Sequence, residues 1–397
     1  MRIASLDTLP FSVPLAPPPG GSGHPLGAGF LTYCLVRAET DSGLVGWGEV
    51  SDGWGCEYAE VAGALVREAL TRFVVGQNPL DVSVLVQRMF AWLRRRQGAV
   101  WLVAQAISGV ELALWDIVGK AVGQPVHSLL GSALRDAIPV YASGNFLSQG
   151  DADVHAAFFE PALARGVTGI KVRLGPNWES ELEALAALRQ RLGPDVSVGI
   201  DGNEAFRPKT AARIALRLGE LGVAFFEEPI PRTNPDALAW LVSQSRVSIA
   251  YGEHVHTAAG FLELADGRLA DIWQPDATVC GGLLEARAIA ALAVARGAPI
   301  SPHSATSPLG VAANLHAAAT APTLTALEYS AGSIRQLASC FDGADELTLE
   351  SIEAGCLRLP SAPGLGIGPR VEDIQAKFPY QPPWPIDNLP SLYTGSV

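Results

Sequence analysis

From Ile138 onward the chain settles into a repeat: a short apolar run, then an Ala- and Leu-rich stretch of helical spacing, renewed about every 25–30 residues. The apolar runs lie at 138–143, 168–173, 197–201, 223–227, 248–252, 271–274, 299–301 and 325–328. Strands that alternate with helices lie parallel, because each return to the sheet uses a helical crossover. Eight such units close the sheet into a barrel. An open doubly wound sheet is the competing arrangement, but no Gly-rich phosphate loop follows any of the strands. The expected class is α/β, a TIM-type barrel.

The chain has 397 residues, more than the roughly 250 that a barrel uses, so a second, smaller unit is expected. Residues 1–15 and 30–50 read as strands, the latter a hairpin around Asp41-Ser42-Gly43. Residues 16–29, APPPGGSGHPLGAG, are too rich in Gly and Pro for regular structure and form a loop. Apolar spacing turns helical between about 56 and 130. After 330 the repeat stops and the chain becomes Pro- and Gly-rich, a segment expected to pack back on the first domain.

Lys and Arg number 28 against 40 Asp and Glu, a net charge of −12, so a polyanion is repelled and no nucleic-acid partner is expected. The longest basic run, Arg94-Arg95-Arg96, suits the solvated face of a helix. Five scattered cysteines without a CxxC pair suit buried thiols in a reducing compartment. Residues 1–15 have no cationic start leading into an apolar core, and no run of 18 apolar residues occurs. A cytoplasmic protein with no membrane partner is expected.

A parallel barrel works at the C-terminal ends of its strands. There the sequence places Lys171 and Arg173, Asp201 and Asn203, Glu227 and Glu228, Glu253, Asp276, His303 and Glu328. Asp201 to Glu227 and Glu227 to Glu253 are each 26 residues, one unit, so three carboxylates converge from consecutive strands. Such a trio repels itself unless a cation neutralises it. Oxygen-only ligands favour Mg²⁺ over Zn²⁺, which prefers nitrogen or sulfur. His303 follows Asp276 by 27 residues, again one unit, so the carboxylate can hold one ring nitrogen and raise the basicity of the other. His254 and His256, and His24 in the loop, are weaker candidates for lining the site.

The set KVR (171–173), DGN (201–203), EEP (227–229), GEH (252–254), PDA (275–277), PHS (302–304) and LEY (327–329) resembles the mandelate racemase subgroup of the enolase superfamily. VELALWDIVGKAVGQPVHSLLG, PGLGIG and the amino-terminal hairpin carry the likeness over nearly the whole chain. The resemblance implies a modified (β/α)₇β barrel over 131–330, an α+β capping domain over 1–130, and the segment 331–397 packed against that cap. It implies Mg²⁺ on Asp201, Glu227 and Glu253, and His303 with Asp276 as base and acid. Lys171 would contact the carboxylate of a small-molecule substrate, and Glu328 would donate to it. Loops 16–29 and 50–56 would set specificity, with His24, Trp54, Asn203 and His254 as substrate contacts. A homo-oligomer is the family habit.

One position departs from the pattern. Many members that share the His and Asp carry Lys-x-Lys on the second strand, the second Lys serving as a base opposite the histidine. Here that place is Arg173, whose guanidinium does not readily give up a proton near neutral pH. Two-base racemisation is disfavoured, and dehydration of an acid sugar to a 2-keto-3-deoxy acid is the leading expectation. The alternatives are a racemase or epimerase using Arg173 as base, and a catalytically silent carboxylate-binding barrel. A muconate-cycloisomerase arrangement would need Lys where Asp276 stands.

Overall fold

The computed structural model describes residues 1–15, 29–97 and 101–382. Three antiparallel strands, β1 (Ile3–Pro14), β2 (Phe30–Thr40) and β3 (Val45–Val50), form the first sheet in sequence order. The β2–β3 hairpin turns at Asp41–Gly43, where Gly43 takes φ +81° and its N–H closes on Thr40 O at 3.0 Å. The helix Leu102–Val122 lies directly on β3. A Cβ on Gly48 would come within 2.0 Å of Gly109 O, so only glycine permits this approach.

The second unit is a parallel barrel. Its strands are β4 (Ala137–Phe146), β5 (Gly169–Arg173), β6 (Ser197–Asp201), β7 (Phe225–Glu227), β8 (Ser248–Tyr251), β9 (Ile272–Trp273) and β10 (Leu327–Tyr329). They pair in the order β10-β4-β5-β6-β7-β8-β9. The expected strand at 299–301 is reduced to Ile300, which bridges Trp273 on one side and Leu324 on the other and closes the ring. Helices 152–163, 178–192, 208–220, 235–244, 257–267, 283–296 and 308–319 fill the intervals between strands. The helix Pro208–Glu220 shows why: Ala211, Ile214, Ala215 and Leu218 fall on one face and are buried, with Pro at its start.

Two buried carboxylates of the first unit dock it on the barrel. Glu111 accepts from the N–H groups of Leu283 and Leu284 at 2.9 Å each, at the start of the helix Leu283–Arg296. Glu49 accepts from Ser307 N–H at 3.2 Å, Ser307 Oγ at 2.6 Å and Gly310 N–H at 3.0 Å, at the start of the helix Pro308–Ala319. Free N–H groups and the helix dipole favour an acid at both places. A third acid, Asp116, ties Trp47 N–H to Leu365 N–H, both at 2.9 Å. Later residues also pair with the barrel, Cys356–Arg358 running antiparallel to β4, and Gln381 N–H meets Ser12 Oγ at 2.8 Å. In the run Arg94–Arg96, Arg95 is exposed near the end of the helix Val82–Gln97, and the side chains of the other two lie outside the described set. The helix Leu102–Val122 is long and apolar enough to cross a bilayer, but 89% of its most apolar window is buried inside the protein.

Burial raises the Glu49 and Glu111 carboxyls to about 7, against the pull of the N–H donors. A carboxyl that binds its proton more tightly folded than unfolded loses stability for the fold as pH climbs from the unfolded value to the folded one. Urea denaturation of Glu111→Gln alongside the natural chain should show the natural chain's advantage shrinking between about pH 5 and about pH 7. A gap independent of pH would mean that Glu111 is ionised throughout.

Candidate active site

Strand register assembles the site. Arg173 pairs with Asp201, Asp201 with Glu227, and Glu328 with Tyr141, so these side chains share the inner face of the ring near its C-terminal rim. One layer below, Lys171 pairs with Gly199 and Gly199 with Phe225. The Phe225 ring lies where a Gly199 Cβ would be, 2.1 Å from Cζ, so only glycine fits there.

Lys171 is 1% exposed and sits among acids: Nζ is 2.5 Å from Glu227 Oε1, 3.0 Å from Glu328 Oε1 and 3.8 Å from Asp201 Oδ2. Burial alone would lower its pKa, but Glu227 and Glu328 outweigh burial and hold it well above the ordinary lysine value. Arg173 Nε lies 3.5 Å from Asp201 Oδ2, and its guanidinium packs over the Phe146 ring at 5.5 Å. Burial works to lower its pKa as well, and Asp201 raises it further, so it stays a cation.

His303 and Asp276 form the expected pair, with Nδ1 at 2.9 Å from Oδ2. Asp276 is fixed by three further donors: Thr278 N–H at 2.8 Å, Thr278 Oγ1 at 2.6 Å and Asn314 Nδ2 at 2.9 Å, all on Oδ1. The imidazole cannot rotate without breaking its own bond to this fixed carboxylate. Its Nε2 looks across at Glu253 Oε2 and Glu328 Oε2, each 3.7 Å away. Burial lowers the His303 pKa, yet Glu253, Glu328 and the Asp276 bond lift it to about 10. A cation beside Glu253 would cancel part of that field and return the imidazole toward neutrality.

Burial raises the pKa of Asp201 and raises Glu227 well above the carboxylate range, and the neighbouring acids add to both shifts. Asp201 Oδ2 is a buried acceptor with no hydrogen bond, whereas Glu227 Oε2 takes Gln274 Nε2 at 2.6 Å. A buried carboxylate oxygen that accepts no hydrogen bond and has its cations only at 3.5 Å and 3.8 Å fits a hard divalent ion, which would replace Lys171 as the counter-charge of Glu227. Among the described residues, the group whose ligand atoms all lie within 4.8 Å is Glu228, Glu253 and His254, whereas Glu227 Oε1 lies against Lys171 Nζ at 2.5 Å. His254 Nδ1 is 3.1 Å from Glu228 Oε1 and 3.5 Å from Glu253 Oε1. Burial lowers its pKa, but Glu228 overcomes that and lifts it to about 9, so it stands as a cation rather than a ligand in this state.

The other expected contacts divide. His254 meets the first unit: its Nε2 is 3.2 Å from where a Gly53 Cβ would stand, which brings the loop carrying half-buried Trp54 to the barrel mouth. Asn203 is exposed at φ +42°, and its N–H donates to Asp201 Oδ1 at 2.8 Å. His256 turns to Gln105, 3.5 Å away, and His24 lies outside the described residues. Glu328 was expected to donate to a substrate. Burial raises its pKa, but Lys171 and His303 bring it down to about 2, so in this charge state it offers acceptors only. Gln274 and Asn314 were missed. Gln274 stands two residues before Asp276, directly after the end of β9.

Comparison with known proteins agrees with the geometry. Residues 155–374 match the family model "Enolase C-terminal domain-like", and residues 28–131 match "Mandelate racemase / muconate lactonizing enzyme, N-terminal domain". The chain is 31% identical to a D-galactarolactone cycloisomerase of Agrobacterium fabrum, over 84% of this chain and 88% of that one. It is 32% identical to an arabinonate dehydratase of Saccharolobus solfataricus, over 85% and 88%. A crystal structure of an enolase superfamily member from a Polaromonas species superposes with a TM-score of 0.85 at 29% identity, covering 96% and 98%. Members of this superfamily typically use a divalent metal. An amino-terminal cap, a closed parallel barrel and an acid-lined rim with a His–Asp pair converge on one conclusion: the chain belongs to the enolase superfamily.

Proposed function

We propose that this protein is a Mg²⁺-dependent hydro-lyase that dehydrates an acid sugar, an aldonate or aldarate, to a 2-keto-3-deoxy acid. The observation that carries the reading is the asymmetry of the rim: one buried imidazole held by Asp276 on one side, and a permanent cation, Arg173, where a second base would stand. Asp201, Glu227 and Glu253 would hold the ion, whose charge favours a substrate carboxylate and acidifies the carbon next to it.

The chain's own groups then account for the proton. His303 Nε2 takes the hydrogen from the α-carbon, and the new Nε2–H is delivered to the β-hydroxyl as its C–O bond breaks, releasing water. The enol that remains tautomerises to the 2-keto acid. Asp276 keeps Nδ1 protonated throughout and so leaves Nε2 as the working nitrogen. Lys171 and Arg173 face the carboxylate end of the substrate, and Arg173 binds rather than transfers a proton.

The cycloisomerase relative favours a second reading, in which an acid-sugar lactone is isomerised from the same α-carbanion chemistry. Incubation with Mg²⁺ and a panel of aldonates, aldarates and their lactones separates the two. Dehydration gives semicarbazide-reactive 2-keto acid and loss of water by mass spectrometry; isomerisation keeps the mass. Turnover of a chiral α-hydroxy acid with deuterium entering both enantiomers and no loss of water would overturn the hydro-lyase reading in favour of a racemase.

A further inference from the structure

Strand β4 carries an extra residue where it meets the rim. Ser143 pairs with Lys171 and Phe146 with Arg173, so three steps along β4 face two along β5. Without the extra residue Asn145 would stand opposite Arg173. Bulges of this kind re-aim a side chain and gather next to functional sites. Here the bulge takes an amide away from Arg173 and puts a ring in its place, with the guanidinium carbon 5.5 Å from the Phe146 ring centroid. Asn145 makes the bend at φ +67°, a left-handed conformation that asparagine tolerates better than most residues.

A ring and an amide treat a guanidinium differently. The ring attracts the cation through its face and offers no in-plane acceptor, so it holds the group without taking up the N–H donors that grip a carboxylate. An amide oxygen would compete for them. The helix Ala152–Leu163 supplies a buried histidine, His155, bonded to both chain neighbours of Phe146. Its Nε2–H donates to Leu147 O at 3.2 Å, and the bare Nδ1 of the neutral ring accepts from Asn145 Nδ2 at 3.0 Å. Phe146 N–H donates in turn to Gln149 Oε1 at 3.0 Å. Dehydration gives His155 no proton to move. Its two bonds instead fix the chain on either side of the ring that lies against Arg173.

We propose that Phe146 positions the Arg173 guanidinium for the substrate carboxylate and that His155 positions Phe146, an inference that rests on the reading of Arg173 as a carboxylate-binding cation. The test is calorimetry on the full chain with Mg²⁺ present, using tartronate, an α-hydroxy diacid with no β-hydroxyl to lose, so that no turnover is needed. Phe146→Leu should weaken tartronate binding about tenfold, and Phe146→Tyr, which keeps the ring, by less than about twofold. In an Arg173→Met background Phe146→Leu should change nothing further, because the ring then has no cation to hold. His155→Leu should cost about tenfold in the natural chain and little in the Phe146→Leu background. Should that variant fail to fold, Asn145→Gly keeps the left-handed bend, removes the bond to His155 and should cost about threefold, again only while the ring is present. Unchanged affinity in Phe146→Leu, equal losses in Phe146→Leu and Phe146→Tyr, or losses from His155→Leu or Asn145→Gly that add in full to that of Phe146→Leu would each overturn the proposal. Arg173→Met binding tartronate as tightly as the natural chain would bring down the role of Arg173 along with it. Absence of a 2-keto acid from the substrate panel would overturn the hydro-lyase reading alone and leave these affinities to decide the roles of Phe146 and His155.

Discussion

His303→Asn lowers turnover by about 10³–10⁴-fold while the fold and Mg²⁺ binding persist. The size follows from the two jobs assigned to one nitrogen: Nε2 takes the α-proton and returns it to the leaving hydroxyl, and the Asn amide can do neither. The variant keeps its fold because the amide can still donate to Asp276 Oδ2, and the Thr278 and Asn314 bonds to Oδ1 are untouched. Magnesium binding, read by calorimetry, should survive because no proposed ligand is altered. Loss of the imidazole also removes a cation that faces Glu253 and Glu328, so the ion should bind no more weakly than before. Retained turnover would refute the assignment. In the natural chain, NMR titration of His303 should give a value near 10 without the ion and a lower one with it, because the ion offsets Glu253.

What could be read from residues alone was set by period. Successive intervals of 26, 26, 23 and 27 residues put Asp201, Glu227, Glu253, Asp276 and His303 at strand ends without any knowledge of their contacts, because barrel geometry turns near-regular spacing into convergence. Short strands were harder. Ile300 makes only bridges, since PIS is a three-residue run and its partners Trp273 and Leu324 satisfy it with single pairings. Charge state was not legible. For Glu328 the residue type alone leaves donor or acceptor open, and only the fold reveals that Lys171 lies 3.0 Å away and, with His303, holds its carboxyl low. Gln274 was invisible for a different reason: a neutral amide in an apolar run carries no charge signal, and its role comes from the neighbouring Glu227 rather than from its own strand. The docking acids Glu49 and Glu111 likewise meet partners 258 and 172 residues away, beyond any local pattern.

Lys171→Met destabilises the protein by about 3–5 kcal/mol near neutral pH and costs about 10²–10³-fold or more in turnover. The first effect arises because three buried carboxylates lose the one ammonium that touches them all. Its pH dependence is the stronger check. In the natural chain Glu328, brought down to about 2, adds stability that is present above its unfolded value near 4.3 and is lost as pH falls toward 2. Without Lys171 the same carboxyl, buried and facing other acids, moves above its unfolded value, so it takes stability away as pH rises. The slope at this residue therefore changes sign, and the gap in melting temperature between the two proteins should widen from about pH 5 to about pH 8. Magnesium should narrow the gap, because an ion on Asp201, Glu227 and Glu253 supplies the charge that the lysine no longer does. A gap that ignores both pH and magnesium would mean that Lys171 serves packing alone, and the electrostatic account of the rim would fall with it.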